Sequence, residues 1–243
     1  TAEAAYTFSD DIDINASINS NSKAPDFNFQ LFQSDYLSYN WQNNFRNQQT
    51  KQLAFRLKSK KFGTLQIDYN TLDNYLYFAK DINDAVKPNQ FDETVNYIRA
   101  KLSNEVSYRN FALNNTILYQ NVMAGDAVYN VPEIVTRHSL YYTNEFFKKA
   151  LFLQTGVTFS YFSKYYMNRY DPLLAEFYVQ NTSELGDFPR IDFFINAKIR
   201  QTRIFLKAEH LNSSFTGYNF YSAPNYPYRD FIVRFGIVWN FFL

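Results

Sequence analysis

Charged side chains recur at every second position of several short segments of this chain, and they are its main candidates for a functional site. Arg190 and Asp192 alternate with apolar residues in the stretch RIDFFINAKIR, and Lys198 and Arg200 continue the same set. Alternate residues of a β-strand point to one face of its sheet. Charges that share a face can select ions in a wet lumen, or they can pair across strands and stiffen the interior.

The polar face, as predicted from alternate positions along the whole chain, carries more basic than acidic residues. The basic set is Arg56, Lys58, Arg99, Lys101, Arg137, Arg190, Lys198, Arg200, Arg203, Lys207 and Arg234. The acidic set is Asp68, Glu105, Glu145, Asp192, Glu209 and Asp230. One interpretation is a water-filled pore with a mild preference for anions. The other is a set of cross-strand ion pairs, such as Asp192 with Lys207 or Arg203, that do not conduct.

Other chemistry finds little support in the sequence. There are 0 cysteines and 2 histidines, and the spacing of His138 and His210 suits packing or rim positions better than metal ligation. Asp11 and Asp13 begin a stretch that matches the opening of a calcium loop, but the required glycine and final glutamate are absent. No G-x-S-x-G stretch occurs. We therefore predict no catalytic residue, metal or cofactor, and we do not expect an enzyme.

The composition limits the class of protein further. Lys and Arg total 24 against 23 Asp and Glu, so a nucleic-acid partner, which favours a basic surface, is not expected. Aromatic residues make up 20% of the chain, yet the mean hydropathy is −0.41 because polar residues lie between them. No apolar run reaches the ~18–20 residues of a spanning helix. A closed barrel, by contrast, spans a membrane with short alternating strands.

The order of segments predicts an all-β, antiparallel, up-and-down transmembrane barrel formed by residues 1–243. About eleven alternating segments are joined in turn by tight turns and by long loops, as in such barrels. The predicted long external loops span about 21–50, 73–93, 122–136, 162–187 and 212–229.

The choice between lipid and a soluble core depends on the apolar face and its ends. Aromatic residues are expected at strand ends, where membrane barrels carry interfacial girdles: Tyr69, Tyr108, Phe111, Phe146, Tyr161 and Trp239. A soluble sandwich remains the alternative for each strand taken alone. The sequence as a whole favours lipid, with Phe231 and Val233 outward and Asn240 in the lumen.

The last strand also looks like the C-terminal signal that the barrel assembly machinery recognises. Its alternating apolar residues are Phe235, Ile237, Trp239, Phe241 and Leu243. The final residue departs from the usual phenylalanine.

Several long segments are similar to a known family. They are PEIVTRHSLYYTNEFFKKALFLQTGVTFSYFSKYYMNRYDPLLAEFYVQN (132–181), FPRIDFFINAKIRQTRIFLKAEHLN (188–212) and YSAPNYPYRDFIVRFGIVWNFFL (221–243). More loosely, so are APDFNF (24–29), WQNNF (41–45) and NYLYF (74–78). Together they resemble the "putative porin" β-barrel family of the Bacteroidota outer membrane. The resemblance implies an integral outer-membrane barrel with a periplasmic C-terminus, and it supplies no site residue.

The resemblance also raises a question of size, because members of this class generally have more chain before the region of Thr1. An odd number of strands, about eleven, conflicts with the even number of single-chain bacterial barrels. We therefore expect this chain to be the C-terminal part of a larger barrel. A mass of the purified protein close to 28.8 kDa would contradict this expectation.

Three functional hypotheses follow. The first is porin-like passive diffusion of small hydrophilic solutes. The second is a non-conducting structural or interaction subunit of an outer-membrane secretion or nutrient-uptake complex, with other outer-membrane proteins as partners beside the lipid. The third and weakest is an enzyme that acts on lipid. The aromatic stretch 160–181 either binds a sugar or protein or packs over the barrel mouth.

Overall fold

Most of the chain is β-strand in the computed structural model, which describes residues 1–217 and 219–239. The strands of the first half are β1 (Ala2–Ser9), β2 (Ile12–Lys23), β3 (Leu31–Phe32), β4 (Trp41–Gln42), β5 (Gln48–Ser59), β6 (Gly63–Asp73), β7 (Leu76–Lys80), β8 (Val86–Gln90) and β9 (Val95–Tyr108). Those of the second half are β10 (Phe111–Ala124), β11 (Ile134–Phe146), β12 (Leu151–Phe162), β13 (Arg169–Asp171), β14 (Glu176–Val179), β15 (Arg190–Ile199), β16 (Thr202–Glu209), β17 (Tyr221–Ala223), β18 (Tyr226–Pro227) and β19 (Ile232–Trp239). Two short helices, α1 (Phe27–Gln30) and α2 (Ser213–Thr216), lie between strands.

One large antiparallel sheet dominates the fold. It has 11 strands in the order β1-β2-β5-β6-β9-β10-β11-β12-β15-β16-β19, so each long strand pairs with the next one along the chain. This arrangement confirms the predicted all-β class and the expected number of long strands. The order begins at β1 and ends at β19, which are the two edges of the sheet.

The two faces of the sheet differ in character and in exposure. On the apolar face, Phe235 is 79% exposed and Leu140 is 54% exposed. On the polar face, Asp68 is 1% exposed and Asp192 is 3% exposed. A soluble sandwich would bury the apolar face, whereas a membrane barrel turns it outward to lipid and keeps polar residues inside. The distribution of exposure therefore favours the barrel.

The register keeps each face consistent from strand to strand. Asn114 of β10 lies opposite Ser139 of β11, which lies opposite Thr158 of β12, which in turn lies opposite Asp192 of β15. A shift of one residue would turn every side chain of a strand to the other face, so this row depends on the correct register at three interfaces.

The connections alternate between the two ends of the sheet. At the tight-turn end, the turns are 10–11, 60–62, 109–110, 147–150 and 200–201. At the long-loop end, the connections between sheet strands are 24–47, 74–94, 125–133, 163–189 and 210–231.

The long connections contain short strands that the sequence did not indicate. Strands β7 and β8 of one loop join β13 and β14 of another in a four-stranded sheet, the loop sheet, with the order β13-β14-β7-β8. Phe78, Val86 and Tyr178 are buried together there, and Trp41 packs against them. Part of the stretch 160–181 therefore packs within the loop sheet, through β13 and β14. Strands of 2–5 residues have no measurable alternation, which is why they escaped prediction.

One of the aromatic residues predicted at strand ends lies elsewhere. Tyr69 lies within β6, which continues to Asp73. Tyr69 is opposite Leu53 and Ile98, so it belongs to the middle of the apolar face.

Among the residues that the structure describes, no helix is long and apolar enough to cross a membrane.

Candidate functional site: the polar face of the sheet

The structure gathers almost all the predicted charged residues on the polar face. Those on its strands are Arg56, Lys58, Asp68, Arg99, Lys101, Glu105, Arg137, Glu145, Arg190, Asp192, Lys198, Arg203, Lys207, Glu209 and Arg234. Arg200 is an exception: it does not extend β15 but lies in the turn 200–201 with φ of 52°. Its place on the strand was therefore wrong, because the chain reverses one residue earlier than the alternation suggested. Asp230 also lies outside a strand, in the segment before β19.

A buried ion pair stands at the centre of β6 and β9. Asp68 accepts hydrogen bonds from Arg99 Nε at 3.1 Å and Arg99 Nη2 at 2.8 Å. The amide nitrogen of Gln66 donates to both carboxylate oxygens of Asp68, at 3.0 and 3.2 Å. The carboxylate is 1% exposed, while the Arg99 side chain is 38% exposed. These contacts neutralise Arg99, so it adds little to the charge that a solute would meet.

A larger ionic network lies where β15, β16 and β19 approach the long loops. Lys207 bridges Glu209 at 2.7 Å and Asp192 at 3.6 Å. Glu209 also contacts Arg229 at 2.6 Å and Arg234 at 3.3 Å. The predicted pair of Asp192 with Lys207 is therefore present. Arg229, which the sequence did not indicate because it lies in a loop, is an additional member.

Other cations of the polar face have no acidic partner. In the described part of the chain, no carboxylate oxygen lies within 4.0 Å of Arg56, Lys58, Lys101 or Arg137. Arg56, Lys58 and Lys101 line one groove of about 300 Å³. We call this the basic groove; its other lining residues are Thr64, Gln66 and Ser103.

Most acidic residues of the predicted set have partners, but not all of these partners are cations. Glu105 accepts hydrogen bonds from Asn114 at 3.1 Å and from the hydroxyl of Tyr141 at 2.8 Å. Glu145 lies 3.9 Å from Lys149 of the adjoining turn. Lys198 and Arg203 face each other across β15 and β16 without a carboxylate in reach among the described residues. Among the described residues of this face, the cations without a carboxylate partner outnumber the carboxylates without a cation, so the free charge is positive. The cations are Arg56, Lys58, Lys101, Arg137, Lys198 and Arg203, and the carboxylates are Glu3, Asp13 and Glu105.

The two histidines occupy packing positions. His138 Nδ1 lies 2.7 Å from Asn115 Oδ1. His210 is 2% exposed and packs against Phe188, Phe220 and Tyr228. Within residues 1–217 and 219–239, no three His, Asp or Glu side chains group in a way that could hold a metal ion.

The predicted C-terminal assembly signal lies partly on β19. Phe235, Ile237 and Trp239 are exposed on the apolar face. Phe241 and Leu243, together with Asn240, lie outside the described residues.

Replacing Arg99 by methionine is expected to lower the free energy of unfolding by about 1–3 kcal/mol, because Asp68 would keep its burial and lose its cation. The estimate is at the lower end for a buried pair because Arg99 is itself partly exposed. Lys101→Met, two residues along the same strand and face, removes a cation without a partner and should change stability by no more than about 0.5 kcal/mol. Urea unfolding in lipid vesicles measures both, and equal effects would contradict this account of the pair.

A contact between two loops at the long-loop end can be tested by pH. Tyr39 donates a hydrogen bond to Asp171 at 2.9 Å. Partial burial and this bond raise the pKa of Tyr39 to about 12. The neutral hydroxyl is therefore the stabilising form, and its contribution is complete below pH 10 and is lost as the pH rises towards 12. The protection of loop-sheet amides, which is their exchange rate relative to the intrinsic rate at the same pH, should fall over that interval in the wild type and much less in Tyr39→Phe.

Comparison with known proteins gives a family and a fold. A family model described as "Putative porin" matches residues 1–243. No curated protein matches the sequence.

Solved outer-membrane receptors and transporters share the fold at low identity. A ferric enterobactin receptor of Pseudomonas aeruginosa is 12% identical with a TM-score of 0.61, over 97% of this chain and 39% of that one. The FrpB iron transporter of Neisseria meningitidis is 11% identical with a TM-score of 0.65, over 97% and 38%. The copper transporter OprC is 11% identical with a TM-score of 0.64, over 86% and 32%. The chain thus spans about two fifths or less of the length of these proteins.

Proposed function

The chain belongs to the putative porin family, an outer-membrane β-barrel class, and from this membership we propose that its sheet lines a pore for passive diffusion of small hydrophilic solutes, with a preference for anions. The observation that supports this proposal best is the imbalance of free charge on the polar face. Arg56, Lys58 and Lys101 have no carboxylate partner in the part of the chain described, whereas Asp68, Asp192 and Glu209 are each held by cations.

The ion selectivity of the polar face depends on which of its charges remain unpaired. A lumen lined by free cations raises the local concentration of anions, because the field of unpaired charges extends about 8 Å at physiological ionic strength. A carboxylate that is already paired contributes little to that field. The network around Glu209 holds four cations, Arg190, Lys207, Arg229 and Arg234, against the two carboxylates of Asp192 and Glu209, so it is also positive. The basic groove adds three cations that no carboxylate of the described residues offsets.

The direct test is conductance of the full-length protein in planar bilayers under a salt gradient. We expect discrete channels whose reversal potential has the sign of anion preference. Folded, full-length protein that gives no conductance would contradict the proposal. The orientation, with tight turns and the C-terminus in the periplasm, is part of the same proposal and can be tested by protease accessibility of the long loops in intact cells.

A second candidate, a non-conducting interaction subunit, is favoured by the loop sheet. Two loops joined by pairing of β14 with β7, with Tyr178 opposite Phe78, form a packed structure rather than open chain. A barrel mouth covered in this way could present a binding surface instead of a passage. Isolation of the protein from native membranes in a stable complex, combined with the absence of channels, would favour this candidate over the pore.

A further inference from the structure

The tight-turn end carries a set of exposed cations that the proposed pore does not use. They occur in four of the five turns: Lys60, Lys61, Arg109, Lys148, Lys149 and Arg200. Their side chains lie beyond the strand ends rather than in the middle of the polar face. These cations are therefore placed to contact the membrane surface, which is a different role from conduction.

The backbone of these turns is unfavourable for the residues that occupy it. Arg109 and Arg200 have φ of 53° and 52°. Phe147, Lys148 and Lys149 have φ of 54°, 55° and 71° in succession. Glycine and asparagine adopt this left-handed conformation more readily than long side chains, and consecutive non-glycine residues in it are unusual. Long cationic side chains in such turns suggest that the side chain has a use that offsets the strain.

Several cations at the long-loop end are paired with carboxylates, although Arg46, Lys87 and Arg169 have no carboxylate partner among the described residues, whereas most cations at the tight-turn end are unpaired. At the long-loop end, Lys23, Lys80 and Lys164 each bridge a carboxylate, at 2.9, 2.6 and 3.3 Å. At the tight-turn end, no carboxylate within residues 1–217 and 219–239 lies within 4.0 Å of Lys61, Arg109, Lys148 or Arg200. Lys60 and Lys149 have only exposed acidic neighbours at 3.7 and 3.9 Å. The tight-turn end thus presents positive charge that an external anion could neutralise.

Exposed aromatic rings accompany these cations. Phe62 is 68% exposed and Phe147 is 79% exposed, each within a turn. Lys61 lies 5.4 Å from the ring centroid of Phe62, and Arg109 lies 5.3 Å from that of Tyr108. The turns adjoin the apolar face, and aromatic rings beside cations are typical of the depth where acyl chains meet headgroups. A phosphate at this depth would lie within reach of flexible lysine and arginine side chains.

We propose that the tight-turn end is a binding surface for anionic phospholipid headgroups, in which Arg109, Lys148 and Lys149 contact lipid phosphates while Phe62 and Phe147 enter the interface. This surface fixes the height of the sheet in the bilayer, since cations and aromatic rings oppose movement in opposite directions. The inference does not depend on conduction. It applies equally to an open pore and to a closed barrel.

The test compares two triple variants of the full-length protein. Arg109→Asn, Lys148→Asn and Lys149→Asn together remove three turn cations and place a residue that tolerates left-handed backbone. Lys23→Asn, Lys80→Asn and Lys164→Asn remove the same charge at the long-loop end. Each protein is reconstituted in phosphatidylethanolamine with and without phosphatidylglycerol, extracted in mild detergent, and analysed for retained phosphatidylglycerol by mass spectrometry.

We expect the wild type to retain phosphatidylglycerol preferentially and the turn variant to lose about fivefold in retention for each cation removed. The turn variant should also unfold at the same temperature as the wild type or a higher one, because asparagine suits its turns. Retention equal to the wild type in the turn variant would overturn the proposal. So would an equal loss in the long-loop control, or the absence of any preference for the anionic lipid in the wild type.

Discussion

Leu206→Arg is expected to lower the free energy of unfolding in a bilayer by about 2–4 kcal/mol, whereas Phe205→Arg should lower it by about 1 kcal/mol or less. The two residues are adjacent in the middle of β16 and similarly exposed, at 38% and 41%. Leu206 lies opposite Ile195 and Phe235 on the apolar face. Urea unfolding of both variants in phospholipid vesicles gives the two free energies.

Comparing the two variants separates the effect of the sheet face from that of hydrophobicity, because both wild-type residues are large and apolar. Phe205 lies opposite Asn196 and Gly236 on the polar face, where an arginine can be hydrated. The cost of Phe205→Arg is the loss of the contact between the Phe205 ring and Gly236, a position where that ring leaves no room for a Cβ atom. An arginine at position 206 instead enters hydrocarbon near the midplane. Equal costs at the two positions, or a larger cost at 205, would mean that the apolar face does not meet lipid.

The faces of the long strands could be predicted because strand alternation is a local property. A period of two follows from the backbone geometry of each strand, so Leu206 and Lys207 are assigned to opposite faces without knowledge of any partner. Aromatic content did not obscure this signal. Phe205 shows its limit, since an apolar residue on the polar face is recognised only by its place in the alternation.

Partners across strands could be predicted only in part. Asp192 and Lys207 lie on neighbouring strands joined by a two-residue turn, so the short connection restricts their register. Asp68 and Arg99 are brought together across the long connection 74–94, and no short-range pattern fixes that register. Arg229 joins Glu209 from a loop. Ionic contacts made by loops depend on tertiary packing and leave no periodic trace.

The loop sheet and the turns were beyond sequence reasoning for different physical reasons. β7 pairs with β14 in parallel, with Phe78 opposite Tyr178 about 100 positions along the chain. Such a contact has no local signature. Arg200 was assigned to a strand because its side chain fitted the alternation, but left-handed backbone ends the strand at Ile199. Glycine or asparagine normally marks such a turn in a sequence, whereas this turn has an arginine at the left-handed position.

Reversing the charge of the basic groove is expected to convert anion preference into cation preference. The variant is Arg56→Glu, Lys58→Glu and Lys101→Glu in the full-length protein. Each reversal changes the local charge by two units. At about 8 Å in water, one Debye length at physiological ionic strength, this raises the energy of a monovalent anion and lowers that of a monovalent cation by about 0.4 kcal/mol each, which changes the ratio of anion to cation permeability about fourfold. Reversal potentials in planar bilayers under a KCl gradient measure that ratio.

The control carries the same change of net charge at the long-loop end, as Arg46→Glu, Lys80→Glu and Lys164→Glu. These residues are exposed in the loops or on the loop sheet, away from the basic groove, so their reversal should alter the permeability ratio by much less. If the control shifts the ratio as far as the groove variant, a general surface potential controls selectivity and the groove does not. If neither shifts it, the unpaired cations do not face the path of the ions, and the polar face serves only to hold the sheet together.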